Sequence, residues 1–211
     1  MLTIHNFHKA YHGHTVLRLD EFTIDSGIHW LRGHNGSGKS TFLKALAGIL
    51  SFEGDVTIPP AISLKKHPTA YRSAVNFAEA EPVFPDFLTG TELIRLFKSA
   101  KNAPAWQEEP YVESMGMTGY LPDRISTYSS GMLKKLSLVL AFLGRPACIL
   151  LDEPLTTLDA ESLPILSAWI AGQHQQAGTT FLLSSHQPVE GELLPNVREI
   201  LVAQATLHHL A

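Results

Sequence analysis

The chain has 211 residues, 45% of them hydrophobic and 17% charged, with a single cysteine and a formal charge of -4. That composition supports one large folded domain and excludes a disordered tail or a highly charged coiled coil. The acidic balance gives no electrostatic footprint for nucleic acid, and a lone Cys148 excludes internal disulfides and cysteine-rich zinc sites, which fits a reducing compartment.

In chain order, residues 1–32 read as a β-rich layer, with short strands at 2–4, 15–19, 22–24 and 28–31 and turns at 12–14 and 25–27. The last of these strands runs into a glycine-rich loop and a helical pattern over 40–49. A strand is expected at 55–58, irregular chain at 59–60 and 82–85, and helix from 89 to about 117 with Leu93, Leu96 and Phe97 on one face. A helix over 132–143 stops at Gly144 and Pro146 and feeds the apolar strand 147–151, where Cys148 reads as core packing. Helix 161–176, strand 179–184 and a hairpin of 197–202 with 206–210 follow. No apolar run approaches the roughly 18 residues of a spanning helix, and residues 1–5 lack a signal peptide's basic and apolar regions, so a membrane role is expected to run through a partner.

Residues Gly33-His34-Asn35-Gly36-Ser37-Gly38-Lys39-Ser40 match the phosphate-binding loop, and they sit between a predicted strand and a predicted helix. Glycines let backbone N–H groups turn inward around phosphate oxygens, and the helix directs its positive end at the same anion. Lys39 adds a charge for the β and γ phosphates, and the Ser40 hydroxyl suits magnesium. The strand 147–151 ends in Asp152 and Glu153, which places two carboxylates beside that loop: Asp152 for the metal, Glu153 as general base toward water. Ser129 and Gly131 lie at a second helix N-terminus, hence at a second anion site.

With two anion sites in this order, the chain resembles the ATP-binding cassette ATPases, whose signature reads Leu-Ser-Gly-Gly-Gln where this sequence has Tyr128-Ser129-Ser130-Gly131-Met132. The resemblance covers nearly the whole chain. It implies an α/β fold, a P-loop NTPase three-layer core with an N-terminal antiparallel β subdomain and a small α-helical subdomain. Residues 1–211 would form one such domain, with about 1–82 and 145–211 as catalytic core and about 83–144 as helical signature segment. It implies ATP and Mg2+, held by Gly33 to Ser40 and Thr41, with Tyr11 stacking on adenine. In a head-to-tail homodimer, Ser129, Ser130, Gly131 and Met132 would contact the ATP of the other subunit, and Asp159 would lie in the D-loop. His186 would be the switch histidine, 34 residues beyond Asp152 and ending an apolar strand. The partners implied are a second copy and a separate transmembrane permease, without nucleic acid, and the place is cytoplasmic, peripheral at the inner face of the cell membrane.

The sequence departs from the family pattern at two places. Ser130 replaces a glycine and Met132 a glutamine; if the glycine needs positive φ, a Cβ there costs about 1–2 kcal/mol. The glutamine expected near 78–82 is missing, leaving Ala80 or Glu79 in its place, and only Glu79 has a side chain for magnesium, through water. Phe84, Phe87, Leu88 and Phe97 are candidates for the permease-docking surface, with core packing as the competing role. The Tyr-Ser-X-Gly-Met signature and the chain's small size, similar to the haem-export ATPases, point to an exporter-type subunit. In a competing class, the soluble cassette clamps, chromosome and repair members insert long coiled coils between loop and signature and translation-type members carry two cassettes and basic linkers, whereas here Gly38 to Ser129 spans only 91 positions and neither feature is seen. No Asn-Lys-X-Asp guanine-reading motif follows the loop, which excludes a GTPase.

Overall fold

In the computed structural model, which describes residues 1–185, 194 and 196–210, the first 24 residues form one long hairpin in place of three short strands. Strand β1 (Leu2–Tyr11) pairs antiparallel with β2 (His14–Ile24) from Leu2 opposite Ile24 to Tyr11 opposite His14. The pieces expected at 15–19 and 22–24 are continuous because the ladder with β1 runs through the polar Asp20-Glu21 step, with Leu19 opposite Phe7 and Glu21 opposite His5. Strand β3 (Ile28–Arg32) leads into the glycine-rich loop, and helix α1 (Lys39–Leu46) leaves it, ending three residues before the sequence pattern does. Strands β4 (Glu53–Ile58) and β5 (Ile62–Ser63) complete a four-stranded antiparallel sheet in the order β2-β1-β4-β5.

The chain then makes a short helix α2 (Pro68–Ala74) and strand β6 (Val75–Ala78), neither of which the periodicity anticipates. The helical stretch expected from 89 to 117 is split into α3 (Gly90–Lys101) and α4 (Glu109–Ser114). Helix α3 starts in a capping box of Thr89 and Glu92 and ends at a left-handed Asn102, just before Pro104. Its buried face is Leu93 and Ile94 with Phe97 packed beside them, while Leu96 is 58% exposed, so Ile94 takes the place expected for Leu96.

Helix α5 (Ser130–Phe142), strand β7 (Cys148–Leu151), helix α6 (Ser162–Ala177), strand β8 (Thr180–Ser184), and the hairpin β9 (Arg198–Ala203) with β10 (Thr206–His209) agree with the sequence pattern to within two residues. A six-stranded sheet runs β10-β9-β3-β8-β7-β6, parallel except for β10. Alternation sends successive residues of its central strands to opposite faces. Cys148, Leu150 and Leu182 pack with α1 and the antiparallel sheet, where Phe7 stacks on Phe52 at 4.7 Å and meets Phe42 edge-on at 5.6 Å. Ile149, Leu151, Phe181 and Leu183 pack with α5, α6, α3 and α4 on the other side. Each such buried Leu, Ile or Phe contributes roughly 1.5–3 kcal/mol. In the central sheet β8 lies between β3 and β7, so the ends of all three parallel strands meet at one edge.

Candidate functional site

The phosphate-binding loop is shaped by close backbone packing. A Cβ at Gly33 would fall 2.5 Å from Ser37 Oγ and 2.8 Å from the Val202 carbonyl oxygen, so only glycine fits there. Gly38 caps α1 at φ 104°, a left-handed conformation that side chains resist, and its hydrogens face Val16 of β2. The Lys39 ammonium donates to the carbonyl oxygens of Gly33 at 2.7 Å and His34 at 3.1 Å, which curls the loop around it. Burial pushes the Lys39 pKa below its ordinary value, against the pull of the Glu153 and Asp152 carboxylates. The His34 ring bonds the Asn35 carbonyl at 2.8 Å, and Ser37 N–H donates to His34 at 3.1 Å. Helix α1 opens behind the loop with Ser40 and Thr41 in its first turn.

At the end of β7, Asp152 Oδ1 accepts from the Ser40 hydroxyl at 3.0 Å and from the Ser184 hydroxyl at 2.6 Å. The Ser184 oxygen also accepts the Glu153 N–H at 2.9 Å. Glu153 is buried with φ at 46°, a left-handed backbone for a residue bearing a side chain, and the Thr156 hydroxyl holds its carbonyl at 2.7 Å. Ser40 and Asp152 form an all-oxygen donor set within one cation's reach, which fits magnesium beside a phosphate loop.

The second helix N-terminus is capped by Ser129, whose hydroxyl accepts the Met132 N–H at 3.2 Å, while Met132 Sδ accepts the Ser129 N–H at 3.5 Å. Met132 thus fills the reciprocal capping role through sulfur. Ser130 has negative φ as the first residue of α5, so the strain considered for it does not arise. A Cβ on Gly131 would come within 3.2 Å of the Thr157 carbonyl, placing the signature turn against the segment that follows Glu153. Lys135 of α5 pairs with Asp159 at 2.8 Å, and Asp159 also receives the N–H and hydroxyl of Ser162, the first residue of α6, at 2.8 and 2.6 Å. These bonds, Lys135 first, hold the Asp159 carboxyl down at about 2.

Tyr11 stands 42% exposed at the end of β1, with the Lys9 ammonium 4.6 Å over its ring, at the tip of the hairpin whose Val16 abuts Gly38. The Glu79 carboxylate is paired with Lys44 of α1, and Ala80 follows with no polar side chain. Ser184 and Ser185 lead toward His186, which lies outside the described residues. Phe84, Leu88 and Phe97 pack against the core, whereas Phe87 is 75% exposed. Two residues of the site escape sequence reasoning. Ser184 is recognisable only once β8 is known to separate β3 from β7. Lys134 is fully buried, donating to the carbonyl oxygens of Glu79, Ala80 and Asp152 at 3.1, 3.1 and 3.0 Å; a lysine among the apolar residues of α5 is the only sequence sign of it.

Loop, helix terminus, oxygen donors and strand order together define a P-loop nucleotide-binding protein of the α/β class. The chain belongs to the ABC transporter family, whose model matches residues 18–156, and carries its ATP-binding domain. It is similar to the ABC transporter ATP-binding protein YtrB of Bacillus subtilis (strain 168), 29% identical over 199 residues that cover 93% of this chain and 67% of YtrB. Across the first curated relatives matched, the chain spans between 61% and 67% of their length. A solved structure described as the ATP-binding subunit of an ABC transporter superposes with a TM-score of 0.88 at 25% identity, covering all of this chain and 90% of that one. The ATP-binding cassette MJ0796, solved as a dimer in a post-hydrolysis state bound to ADP and Pi, shares the fold with a TM-score of 0.85 at 19% identity, covering 100% of this chain and 99% of that one.

Proposed function

We propose that this chain is the ATP-hydrolysing subunit of an ABC transporter, closing as a homodimer around two ATP to drive a separate permease in the export direction. The observation that carries this reading is the continuous chain of bonds from Ser40 through Asp152 and Ser184 to Glu153, which joins the phosphate loop to the carboxylate that activates water. The loop's N–H groups cradle the phosphates, and Lys39 turns its ammonium from the Gly33 and His34 carbonyls toward the β and γ oxygens. Tyr11 offers its exposed ring to the adenine. Ser40 and Asp152 would hold magnesium, which when bound neutralises charge on the phosphate oxygens.

Glu153 takes a proton from the attacking water as the water oxygen bonds to the γ phosphorus and the bond to the β-phosphate oxygen breaks, giving ADP and phosphate. His186 holds the γ phosphate and water in register. Ser129, Ser130, Gly131 and Met132 close over the ATP of the second subunit, and Asp159 lies at that contact; the dimeric form of MJ0796 supports this assembly. Glu79 is left out of the metal set because its carboxylate is paired with Lys44. In this reading residues 1–82 and 145–211 are the catalytic core and 83–144 the signature segment, with exposed Phe87 toward the permease. The export direction rests on the Tyr128 to Met132 signature. Among the described residues no helix is long and apolar enough to cross a membrane, so a cytoplasmic position at the inner face of the membrane depends on the permease.

Steady-state phosphate release tests the chemistry, with Glu153→Gln expected at background and the parent chain well above it; equal background rates in both would sink the hydrolytic reading. Purification of Glu153→Gln with ATP from detergent-solubilised membranes tests the transport role. A stoichiometric multi-span protein is the expected companion, and recovery of soluble partners alone would move the assignment to a cassette clamp.

A further inference from the structure

Lys134 sits five positions beyond Ser129 on α5, so the helix whose N-terminus bears the signature also carries a fully buried ammonium one turn further in. An ammonium has three N–H donors, and three main-chain oxygens receive them at 3.0–3.1 Å: Asp152 at the end of β7, and Glu79 and Ala80 just past β6. Buried among the apolar side chains of α5, a leucine or methionine would fill the space without the cost of desolvating a charge. The charge is retained where it ties together backbone groups that no other side chain joins in the described bonds. The neighbouring Lys135 turns outward to Asp159 and takes no part.

The segment it grips is the one in which the family's linking glutamine is absent. Ala80 has no group with which to reach the metal site, and Glu79 spends its carboxylate on Lys44 of α1. The 79–80 segment is therefore held from two sides, by Lys44 on the phosphate-loop helix and by Lys134 on the signature helix. Only the second of these holds also reaches the strand that presents Asp152 and Glu153.

We propose that Lys134 is a positioning residue for hydrolysis, through which displacement of the signature helix and of the 79–80 segment is passed to the main chain of Asp152 and so to both carboxylates. This supplies by backbone contact the link that the missing glutamine would make by side chain. The proposal rests on the reading above that Glu153 activates water.

Two variants separate positioning from support. Lys134→Met keeps the length and apolar stem without a donor, and Lys134→Gln restores two N–H groups. Thermal unfolding verifies folding, fluorescence titration gives ATP affinity, and steady-state phosphate release gives kcat and KM. ATP affinity within about threefold of the parent is expected for both, with kcat down roughly tenfold or more in Lys134→Met and partly recovered in Lys134→Gln. Three outcomes overturn the proposal: kcat of Lys134→Met within about threefold of the parent, loss of affinity in parallel with kcat, or equal deficits in the two variants. Failure of both variants to fold assigns the ammonium to stability and overturns it as well. A parent chain whose turnover does not depend on Glu153 removes the hydrolytic reading itself, whereas a fast Lys134→Met beside an active parent removes only the positioning role.

Discussion

Glu153 hangs from Ser184: its N–H reaches the Ser184 oxygen at 2.9 Å, and the same hydroxyl gives its proton to Asp152 Oδ1 at 2.6 Å. One serine at the end of β8 therefore fixes the orientation of both acidic residues at the end of β7. The spacing works because the two parallel strands are neighbours, with Leu151 in register with Leu183.

Replacing Ser184 by alanine leaves the buried Glu153 N–H without that acceptor, a loss of about 1–3 kcal/mol in urea unfolding. The Ser184→Ala chain should keep ATP affinity near that of the parent, since Lys39 and the loop are untouched, and lose roughly tenfold in kcat. A variant with undiminished kcat would show that Ser184 serves the fold alone.

Ser130→Gly restores the residue of the family signature, yet it relieves no backbone strain because Ser130 already has negative φ at the start of α5. The midpoint of thermal unfolding should stay level or fall, the stability loss being no more than the roughly 1 kcal/mol that glycine costs in a helix. A raised midpoint would mean that the serine is held against its preference.

Asp159 supplies a pH signature. Its folded carboxyl sits at about 2, below the ordinary value of 3.8, so its contribution to stability is full above the unfolded value and disappears as pH falls through about 2. The gap in urea midpoint between the parent and Asp159→Asn should be constant from pH 7 to 5 and shrink by pH 3. Constancy down to pH 3 would count against the Lys135 and Ser162 contacts as the cause.

Cys148 is buried in β7, and burial pushes its thiol from the ordinary 9.0 up to about 12. The native chain should not react with a thiol reagent at pH 8 until it is unfolded. Because the folded value is raised, the thiol's contribution to stability is complete below pH 9 and is lost as pH rises from there toward 12. The advantage of the parent over Cys148→Ala should then narrow by about 1 kcal/mol between pH 9 and 10. A prompt reaction at pH 8, or a gap that widens with pH, would contradict the buried placement.

Much of the architecture is written in local pattern. The phosphate loop needs its glycines at fixed steps, and strands β7 and β8 are apolar on both faces because helices cover one side and the antiparallel sheet the other. What escaped has tertiary causes. Strand β6 has four residues with Asn76 among them, and that polar side chain is buried because the main-chain oxygens of Ala141 and Leu143 receive its amide at 2.7 and 2.8 Å. Helix α2 has seven residues, too few for a period, and is secured by Tyr71 reaching the Leu46 carbonyl at 2.9 Å. Leu96 satisfies the helical spacing but faces outward, since Ile94 meets the core instead. Within the site, the sequence points to residues by chemical type, whereas Ser184, bridging the Glu153 N–H and the Asp152 carboxylate, and Lys134, gripping main-chain oxygens, depend on which elements are neighbours.

The left-handed backbone of Glu153 costs stability at the residue proposed to activate water. Glutamate has no preference for φ near 46°, and residues with side chains lose about 1–2 kcal/mol there, whereas asparagine enters that region more readily. Glu153→Asn should therefore melt above Glu153→Gln although both lack the carboxylate proposed to activate water. With Glu153 as the proposed general base, the chain gives up part of its thermal margin at the turn assigned to its chemistry, and a search for stabilised variants that ignored turnover would be drawn to that turn first.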